Sequence, residues 1–409
     1  MHQALSLLEK DDSVNRLEKL IQQLCPNGVE WTPLGNVIIS LNTGLNPRQF
    51  FKLNTEDATN YYVTIKELRN DCVVFSDKTD RINETALILC NNRANLEVDD
   101  VLFSGTGTIG ETAIITAPPT NWNIKEGVYS IKPNKAMIEP RFLMYLLKTE
   151  RIRKQFLSKA VGGTVKSIPM GELKTIIVPL PPLEVQREIV RILDQFTELT
   201  AELTAELTAR KKQYEYYRDE LLHKKSFHDI RECRLGEVAD IHTGCKPDDI
   251  LEEHSEFEYI NAGTTNSGYV KTPNCPGDTV TTPSRGQGGI GFVGYQSQPF
   301  HLGPLCYSIR SSDENIITNK FIYYWLSSHT GDILAFKKEG GTPALNRGDL
   351  MGLRLCVPHI SVQHRIVSIL DRFDALCNDL TSGLPAEIEA RRKQYEYYRD
   401  KLLTFQEKH

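Results

Sequence analysis

The chain of 409 residues carries 48 lysines and arginines against 53 aspartates and glutamates, a formal net charge of −5. It is long enough for two or more domains, and its acidic balance excludes binding to nucleic acid through bulk positive charge, so any DNA contact would depend on local patches or partner subunits. Its 9 scattered cysteines, the absence of an apolar run of membrane-spanning length and a start unlike a signal peptide predict a cytoplasmic protein without a membrane span.

Residues 1–27 form the first predicted element, a helical segment, because Arg16–Leu24 is amphipathic. Residues 28–182 then carry short Val, Ile, Tyr and Phe runs separated by Gly, Pro, Asn and Asp, which predicts a β-rich globular domain. The predicted strands are Tyr61–Ile65, Val101–Phe103, Ala113–Thr116 and Val128–Ile131, and a short amphipathic helix at Pro140–Leu147 follows them.

Residues 183–226 are predicted to be one long helix, since apolar side chains recur every three or four residues without an internal Gly or Pro. A second β-rich domain is predicted at residues 227–360, with strands at Tyr259–Asn261, Thr279–Thr282 and Ile290–Gly294 and a helix at Asn319–Leu326. Residues 361–409 repeat the helical pattern, and Ser382–Pro385 should interrupt it.

The chain is a tandem duplication whose halves diverge unevenly. The sequence Lys212–Asp219 is repeated identically at Lys393–Asp400, and Gln186–Leu199 is similar to Gln363–Leu376. The two β-rich domains, in contrast, share only a few scattered residues. The predicted fold class is therefore α+β, with two β-rich domains separated by two long helical regions that form an antiparallel coiled coil with pseudo-two-fold symmetry. Near-identical helices indicate a partner surface used twice, and divergent domains indicate two different ligands.

Thr200–Leu207 contains the unit Thr-Ala-Glu-Leu twice in succession. One such unit adds about 6 Å of helix, against about 3.4 Å per base pair of DNA. The repeat is therefore interpreted as a spacer of adjustable length, although it also fits simple helix-forming sequence.

Glycine-rich motifs occur in both domains, at Gly105-x-Gly107-x-x-Gly110 and at Gly286-x-Gly288-x-x-Gly291. A cofactor-binding loop would need a helix after it, to present the N-terminus of that helix to the cofactor. Strand-like residues follow both motifs instead, so a structural turn, with or without a DNA contact, is favoured over binding of a methyl donor. Nuclease, metal, P-loop and nucleophile-elbow motifs are also missing.

Together, the divergent β-rich domains, the near-identical helical regions, the Thr-Ala-Glu-Leu units and the duplicated Lys212–Asp219 segment resemble the specificity subunit of a type I restriction–modification system, IC-like branch. The resemblance implies two target recognition domains, each reading one half of a bipartite, asymmetric site in double-stranded DNA. It also implies helical regions that set the spacing between half-sites and dock two modification subunits.

The same resemblance implies that the chain itself is not an enzyme and holds no cofactor or metal. S-adenosylmethionine, ATP and magnesium would be bound by the modification and restriction subunits. The assembled complex would be an adenine-N6 DNA methyltransferase and an ATP-dependent type I endonuclease. Two alternatives stay open from the residues alone, a scaffold that acts independently of DNA and a degenerate adenine methyltransferase.

Candidate DNA-binding residues are polar residues in equivalent loops of the two domains. Arg and Lys suit guanine edges and Asn and Gln suit adenine, although each also fits a phosphate contact or a turn cap. Arg285 and Gln287 are the strongest candidates, as long polar side chains on a glycine loop. The full set is Thr43, Asn46, Arg48, Thr64, Lys66, Ser104, Thr106, Lys166, Ser167, Thr243, Lys246, Asn261, Thr264, Asn266, Ser284, Arg285, Gln287, Asn346 and Arg347.

Candidate residues for the coiled coil and for subunit docking lie on the apolar stripes and in the duplicated Tyr-rich segment. Because that segment is identical in both halves, packing or subunit contact is favoured over base reading, which would require both copies to read the same base. The set is Ile189, Ile192, Leu193, Phe196, Leu199, Leu203, Leu207, Tyr214, Tyr217, Ile366, Ile369, Leu370, Phe373, Leu376, Tyr395 and Tyr398.

Overall fold

The computed structural model describes residues 12–223, 230–252, 256–286, 288–338, 343–379 and 381–408. The chain divides into two compact units, one of residues 1–201 with 390–409 and one of residues 202–389. Each unit contains one β-rich domain and one end of each helical region, which is the division that antiparallel pairing of the two regions requires. The predicted alternation of β-rich domains and helical regions is confirmed.

The first domain begins after an N-terminal helix and mixes short strands with short helices. Its elements are α1 (Asp12–Leu24), β1 (Glu30–Pro33), β2 (Ile38–Thr43), α2 (Pro47–Phe50), β3 (Asn60–Val63), β4 (Leu68–Arg69), β5 (Cys72–Val73), β6 (Arg81–Ile82), α3 (Glu84–Arg93), β7 (Val101–Ser104), β8 (Thr112–Ile114), β9 (Trp122–Ile124), β10 (Val128–Pro133), α4 (Pro140–Lys148), α5 (Glu150–Ser158), α6 (Met170–Lys174) and β11 (Ile177–Leu180).

The long helix α7 (Leu183–Leu222) follows, and then the second domain and helical region. Their elements are β12 (Ile230–Arg234), α8 (Leu235–Val238), β13 (Ala239–Thr243), β14 (Phe257–Ile260), β15 (Tyr269–Val270), β16 (Thr279–Pro283), β17 (Gly294–Gln296), β18 (His301–Leu302), β19 (Cys306–Ser311), α9 (Asn319–Ser328), α10 (Thr330–Ala335), α11 (Arg347–Met351), β20 (Arg354–Pro358), α12 (Ile360–Asn378) and α13 (Leu384–Leu402).

Three sheets of one domain have the same topology as three sheets of the other, and the first domain contains the antiparallel pair β4-β5 in addition. A four-stranded antiparallel sheet in the order β2-β10-β7-β8 corresponds to the sheet β13-β19-β16-β17. A three-stranded sheet β6-β3-β9, in which β3 and β9 run parallel, corresponds to β15-β14-β18, in which β14 and β18 run parallel. The pair β1-β11 corresponds to β12-β20. The duplication therefore preserves the fold of the domains although most of their side chains differ.

Most of the predicted elements are confirmed within a few residues. The long helix runs for 40 residues, and the second helical region is interrupted between Asn378 and Leu384, as Ser382–Pro385 predicts. The strand predicted at Ile290–Gly294 is wrong. Residues 288–291 form a turn and β17 begins only at Gly294, because glycine at positions 288, 289 and 291 weakens a strand and favours a turn.

The first part of the apolar stripe on α7 belongs to the core of the first unit. Ile189, Ile192, Leu193 and Phe196 are at most 6% exposed and join the buried cluster of α4, α5 and the central sheet. In the second unit, Ile366 and Leu370 of α12 are buried in the corresponding cluster. Each helical region is thus anchored to its own domain at its start, and those side chains have no surface left for another subunit.

The apolar side chains further along each helical region are more exposed to solvent. Leu199 and Leu376 are 37% and 39% exposed, while Leu203, Leu207, Ile369 and Phe373 are half-buried. In the first unit Phe196 stacks on Tyr398 with ring centroids 5.5 Å apart, and in the second unit Phe373 lies 6.0 Å from Tyr217. The duplicated Tyr-rich segment therefore packs against the duplicated Phe of the other helical region in each unit.

A buried glutamine joins each helical region to its domain. Gln186 accepts a hydrogen bond from the backbone N–H of Glu139 at 2.8 Å and donates to the carbonyls of Met137 and Pro181. Gln363 makes the same three contacts, with the N–H of Thr318 and the carbonyls of Ile316 and Pro358. Both side chains are fully buried, so each one satisfies three backbone groups that water cannot reach.

A carboxylate on each helix completes this junction. Asp194 accepts hydrogen bonds from Tyr145 at 2.5 Å and from Arg141 at 3.1 Å. Asp371 accepts from Tyr324 at 2.5 Å and from Lys320 at 2.9 Å. Burial is the largest cause that raises the pKa of Tyr145, and the carboxylate of Asp194 raises it further, so that this pKa is about 12. The two junctions thus repeat both the geometry and the chemistry of the duplication.

The C-terminal end of the described chain meets the start of the first domain in the first unit. The backbone N–H of Val29 donates to the carbonyl of Gln406, and the N–H of Lys408 donates to the carbonyl of Val29, both at 2.9 Å. Helix α1 packs alongside, with Leu17 only 1% exposed. The alternating order of helical segments and domains therefore closes on itself within this unit. None of the helices in the described part of the chain is long and apolar enough to cross a membrane.

Candidate nucleic-acid interface

A cleft of about 530 Å³ in the first domain brings together predicted DNA-binding residues from four separate loops. These residues are Thr43 at the end of β2, Thr64 after β3, Thr106 after β7 and Ser167 before α6. The remaining lining residues are Ile65, Lys125, Glu126, Gly127, Val128, Tyr129, Val165 and Met170. A cleft built from loops on a rigid sheet, with threonine, serine, lysine and glutamate side chains among apolar ones, is the kind of surface that can present polar groups to a nucleic acid.

The tight turn between β9 and β10 forms one wall of the cleft. The backbone N–H of Lys125 donates to Val63 at 2.8 Å, and that of Glu126 donates to Leu45 at 3.2 Å. Gly127 donates its N–H to the Thr43 hydroxyl at 3.2 Å, and its carbonyl accepts from Gly105 at 2.7 Å. These bonds tie the turn to strands β2, β3 and β7, so the backbone that carries Lys125 and Glu126 is fixed on three sides.

The glycine loop lies beside this turn and contributes Thr106 to the lining of the cleft. Gly107 adopts φ +80°, a conformation that favours glycine, and donates its N–H to the carbonyl of Lys166 at 2.8 Å. Ser104 lies beneath the loop, where its hydroxyl donates to the Thr108 carbonyl at 2.6 Å. The loop leads into strand β8 rather than into a helix. Its glycines thus shape a turn beside the cleft, as the sequence favoured.

The corresponding loop of the second domain does not align with the first loop in the way that the two glycine motifs suggest. Ser284 donates its N–H to Leu305 and accepts from Leu345, as Gly105 does with Gly127 and Ile168. Gly286 then donates to Pro343 with φ +120°, as Gly107 does to Lys166. Gly286 is thus the counterpart of Gly107 rather than of Gly105, and Arg285 is the counterpart of Thr106.

The charged side chains that act on two equivalent tyrosines differ in sign. Tyr129 in the first domain and Tyr307 in the second are equivalent, because their hydroxyls donate to the carbonyls of Ile168 and Leu345. Burial raises the pKa of Tyr129, and the carboxylate of Glu126 raises it further. Burial also raises the pKa of Tyr307, but there the nearby Arg347 and Arg285 act in the opposite direction. Tyr129 therefore lies near an acidic side chain, and Tyr307 lies near two basic ones.

Ten of the predicted DNA-binding residues are exposed on the surfaces of the two domains, and the structure leaves their side chains within reach of a ligand. They are Arg48, Lys66, Thr106, Lys166, Thr243, Lys246, Thr264, Arg285, Asn346 and Arg347. Thr264 and Asn266 line a second cleft, of about 340 Å³, in the second domain. Gln287 lies outside the described residues.

Several other predicted DNA-binding residues hold local structure instead. Ser104 and Ser284 are 1% and 6% exposed, and their burial removes them from any surface that a base can reach. Asn46 and Thr64 accept from backbone N–H groups at the starts of short helical turns. Asn261 accepts from the N–H of Leu305 at 2.9 Å. Polar residues in turns serve as caps as readily as they serve as ligand contacts.

Lys125 and Glu126 line the cleft but are missing from the sequence-based set. The segment between Pro119 and Val128 carries no strand prediction, yet β9 lies within it and pairs parallel with β3. A run of two opposite charges next to glycine was the only local signal. Among the described residues, no group of three or more His, Cys, Asp or Glu side chains is placed to hold a metal ion.

Comparison with known proteins agrees with this architecture. The family model described as "Type I restriction modification DNA specificity domain" matches residues 28–210 and 228–390. The EcoR124I/EcoR124II specificity subunit of Escherichia coli is 38% identical over 57% of this chain and 63% of its own length. The EcoprrI specificity subunit of E. coli is 30% identical over 89% of this chain and 92% of its own length.

Solved structures share the fold at low identity. The S subunit of a type I restriction–modification system from M. genitalium aligns with a TM-score of 0.59 and 20% identity, over 92% of this chain and 96% of that one. A chain from a structural study of type I complex assembly aligns with a TM-score of 0.60 and 19% identity, over 92% and 98%. With both of its domains matched by the family model, this chain belongs to the type I restriction–modification DNA specificity family.

Proposed function

We propose that this chain is the DNA-recognition subunit of a type I restriction–modification system, in which each domain reads one half of an interrupted, asymmetric site. The observation that carries the proposal is that one fold occurs twice with equivalent loops but different exposed side chains. Thr106 and Ser167 in the first domain stand where Arg285 and Ala344 stand in the second. Because base edges are read by the side chains that reach them, the two half-sites should differ.

The helical regions support the second part of the proposal, docking of two modification subunits. Their sequences are nearly identical, and each is fixed to its domain by the same glutamine and aspartate. The same surface is thus offered twice. Methyl transfer, base flipping, ATP hydrolysis and cleavage are assigned to the partner subunits, and this chain contributes sequence recognition and spacing.

Mapping of N6-methyladenine in cells that carry the neighbouring modification subunit, with and without this chain, tests the proposal. Methylation at one two-part motif that disappears when the chain is removed is the expected result. Methylation that is unchanged without the chain would favour a scaffold that acts independently of DNA.

Replacing both Tyr216 and Tyr397 with alanine should weaken docking of the modification subunits. These equivalent tyrosines are 64% and 62% exposed, and exposed aromatic residues often carry much of the binding energy of an interface, at about 2 kcal/mol or more each. Native mass spectrometry should show loss of both modification subunits in the double variant and of one subunit in Y216A alone.

The matched control is Glu198→Ala, an exposed position on α7 whose counterpart in the other helical region is Ala375. This variant should keep both modification subunits. If the double tyrosine variant also kept both of them at unchanged affinity, the exposed tyrosines would not be part of the docking surface.

A further inference from the structure

The turn at Lys125–Glu126 carries two charges that the first domain does not use for its own stability. Both side chains are exposed, and neither forms a hydrogen bond or ion pair through its side chain with any described residue. The backbone beneath them is held by bonds to Val63 and Leu45, within 3.2 Å. A fixed backbone with free side chains is the arrangement expected of a reading position, since the geometry of the contact is set in advance.

A carboxylate in this cleft needs an explanation if the cleft faces DNA. Phosphates repel an acidic side chain, so Glu126 would weaken general attraction to the duplex. A carboxylate has only acceptor oxygens, and its partner among the base edges of the major groove is the exocyclic amino group, above all N4 of cytosine. The positive charge of Lys125 beside Glu126 lessens the repulsion from the phosphates, and the carboxylate of Glu126 can still accept a hydrogen bond.

The second domain lacks these charges at the equivalent turn. Gly303 donates its N–H to Ile260 as Lys125 does to Val63, so Gly303, Pro304 and Leu305 stand where Lys125, Glu126 and Gly127 stand. The exposed charges near the equivalent tyrosine are instead those of Arg285 and Arg347. Where the first domain offers an acceptor, the second therefore offers donors, which suit the acceptor edge of guanine.

We propose that Glu126 is a specificity-determining residue of the first domain, and that its carboxylate accepts a hydrogen bond from the amino group of a cytosine in the first half-site. This inference rests on the proposed function of the chain. The recognised partner is a C·G pair at one position of the half-site, and the guanine-directed arginines of the second domain act at the other half-site.

The test is methylome mapping with the assembled complex that contains either the natural chain or Glu126→Ala. The natural chain should give a first half-site with one invariant C·G pair that E126A no longer requires. Discrimination at that position should fall by roughly 5- to 150-fold, the range for one good base contact. The second half-site and the gap should be unchanged, and binding to unrelated DNA should be equal or tighter because a negative charge is removed.

Glu56→Ala is the matched control, since Glu56 is an exposed glutamate of the same domain that does not line the cleft, and it should leave every position unchanged. Gln in place of Glu126 keeps the size of the side chain, and it should shift the preference at the same position toward adenine. An unchanged motif for E126A, or relaxation at an A·T pair, would overturn the inference while leaving the proposed function intact. A natural chain without any sequence preference would instead contradict the proposed function itself.

Discussion

Deleting one Thr-Ala-Glu-Leu unit, Thr204–Leu207, should move methylation to a site with a shorter gap and with both half-sites unchanged. The deletion shortens α7 by about 6 Å and rotates the two ends of the helix by about 40° relative to each other. One base pair of DNA corresponds to about 3.4 Å and about 35°. The translation matches about two base pairs and the rotation about one, so the new gap should be one or two base pairs shorter.

The position of the repeat makes this the largest expected effect on function. The boundary between the two compact units falls at Ala201–Glu202, inside the repeat. Methylation at the parental site should fall by on the order of 100-fold or more, since small misplacements of reacting groups have effects of this size.

Thr204→Ala keeps the length of the helix and serves as the control, with an unchanged motif expected. Methylome mapping of both variants is the measurement. A deletion variant that still modifies the parental site, with the parental gap, would show that α7 does not set the spacing.

Gln363→Leu should produce the largest loss of stability in the second unit. The leucine leaves the N–H of Thr318 and the carbonyls of Ile316 and Pro358 buried without partners. At about 1–3 kcal/mol for each group, the free energy of unfolding should fall by about 3 kcal/mol or more. For a unit of this size that is about 6–12 °C in melting temperature.

Gln195→Leu, at an exposed position on α7, is the matched control and should change the free energy of unfolding by at most about 0.5 kcal/mol. Gln186→Leu should destabilise the first unit in the same way as Gln363→Leu destabilises the second. Calorimetry of the full chain is the measurement. Equal melting temperatures for Q363L and Q195L would contradict the role of the buried glutamines.

Helices were easier to predict from this sequence than sheets. The stripe on α7 and the break at Ser382–Pro385 depend on neighbours within one or two turns, so local spacing is enough to find them. The strand predicted at Ile290–Gly294 failed because its apolar residues alternate with glycines that form a turn. Strand β9 was missed because it is only 3 residues long, with the polar Asn123 between Trp122 and Ile124, so its own sequence carries little strand signal.

The candidate site was only partly predictable for a related reason. Thr43, Thr64, Thr106 and Ser167 were predicted from loop position and polarity, and the fold brings them to one cleft. Ser104 has the same polarity but lies under the loop, and nothing in the local sequence distinguishes it from Thr106. Lys125 and Glu126 reach the cleft only through the pairing of β9 with β3.

The central claim is that each domain independently reads one half-site. It is tested most directly by a chain that carries residues 28–182 twice, once in their own place and once in place of residues 229–359. The two segments end at equivalent points, four residues before Gln186 and before Gln363. Under the proposed function the two domains read opposite strands, as a symmetric dimer reads a palindrome, so methylome mapping should show an inverted repeat of the natural first half-site with the natural gap. A complex that assembles and methylates but still requires the natural second half-site would contradict the account.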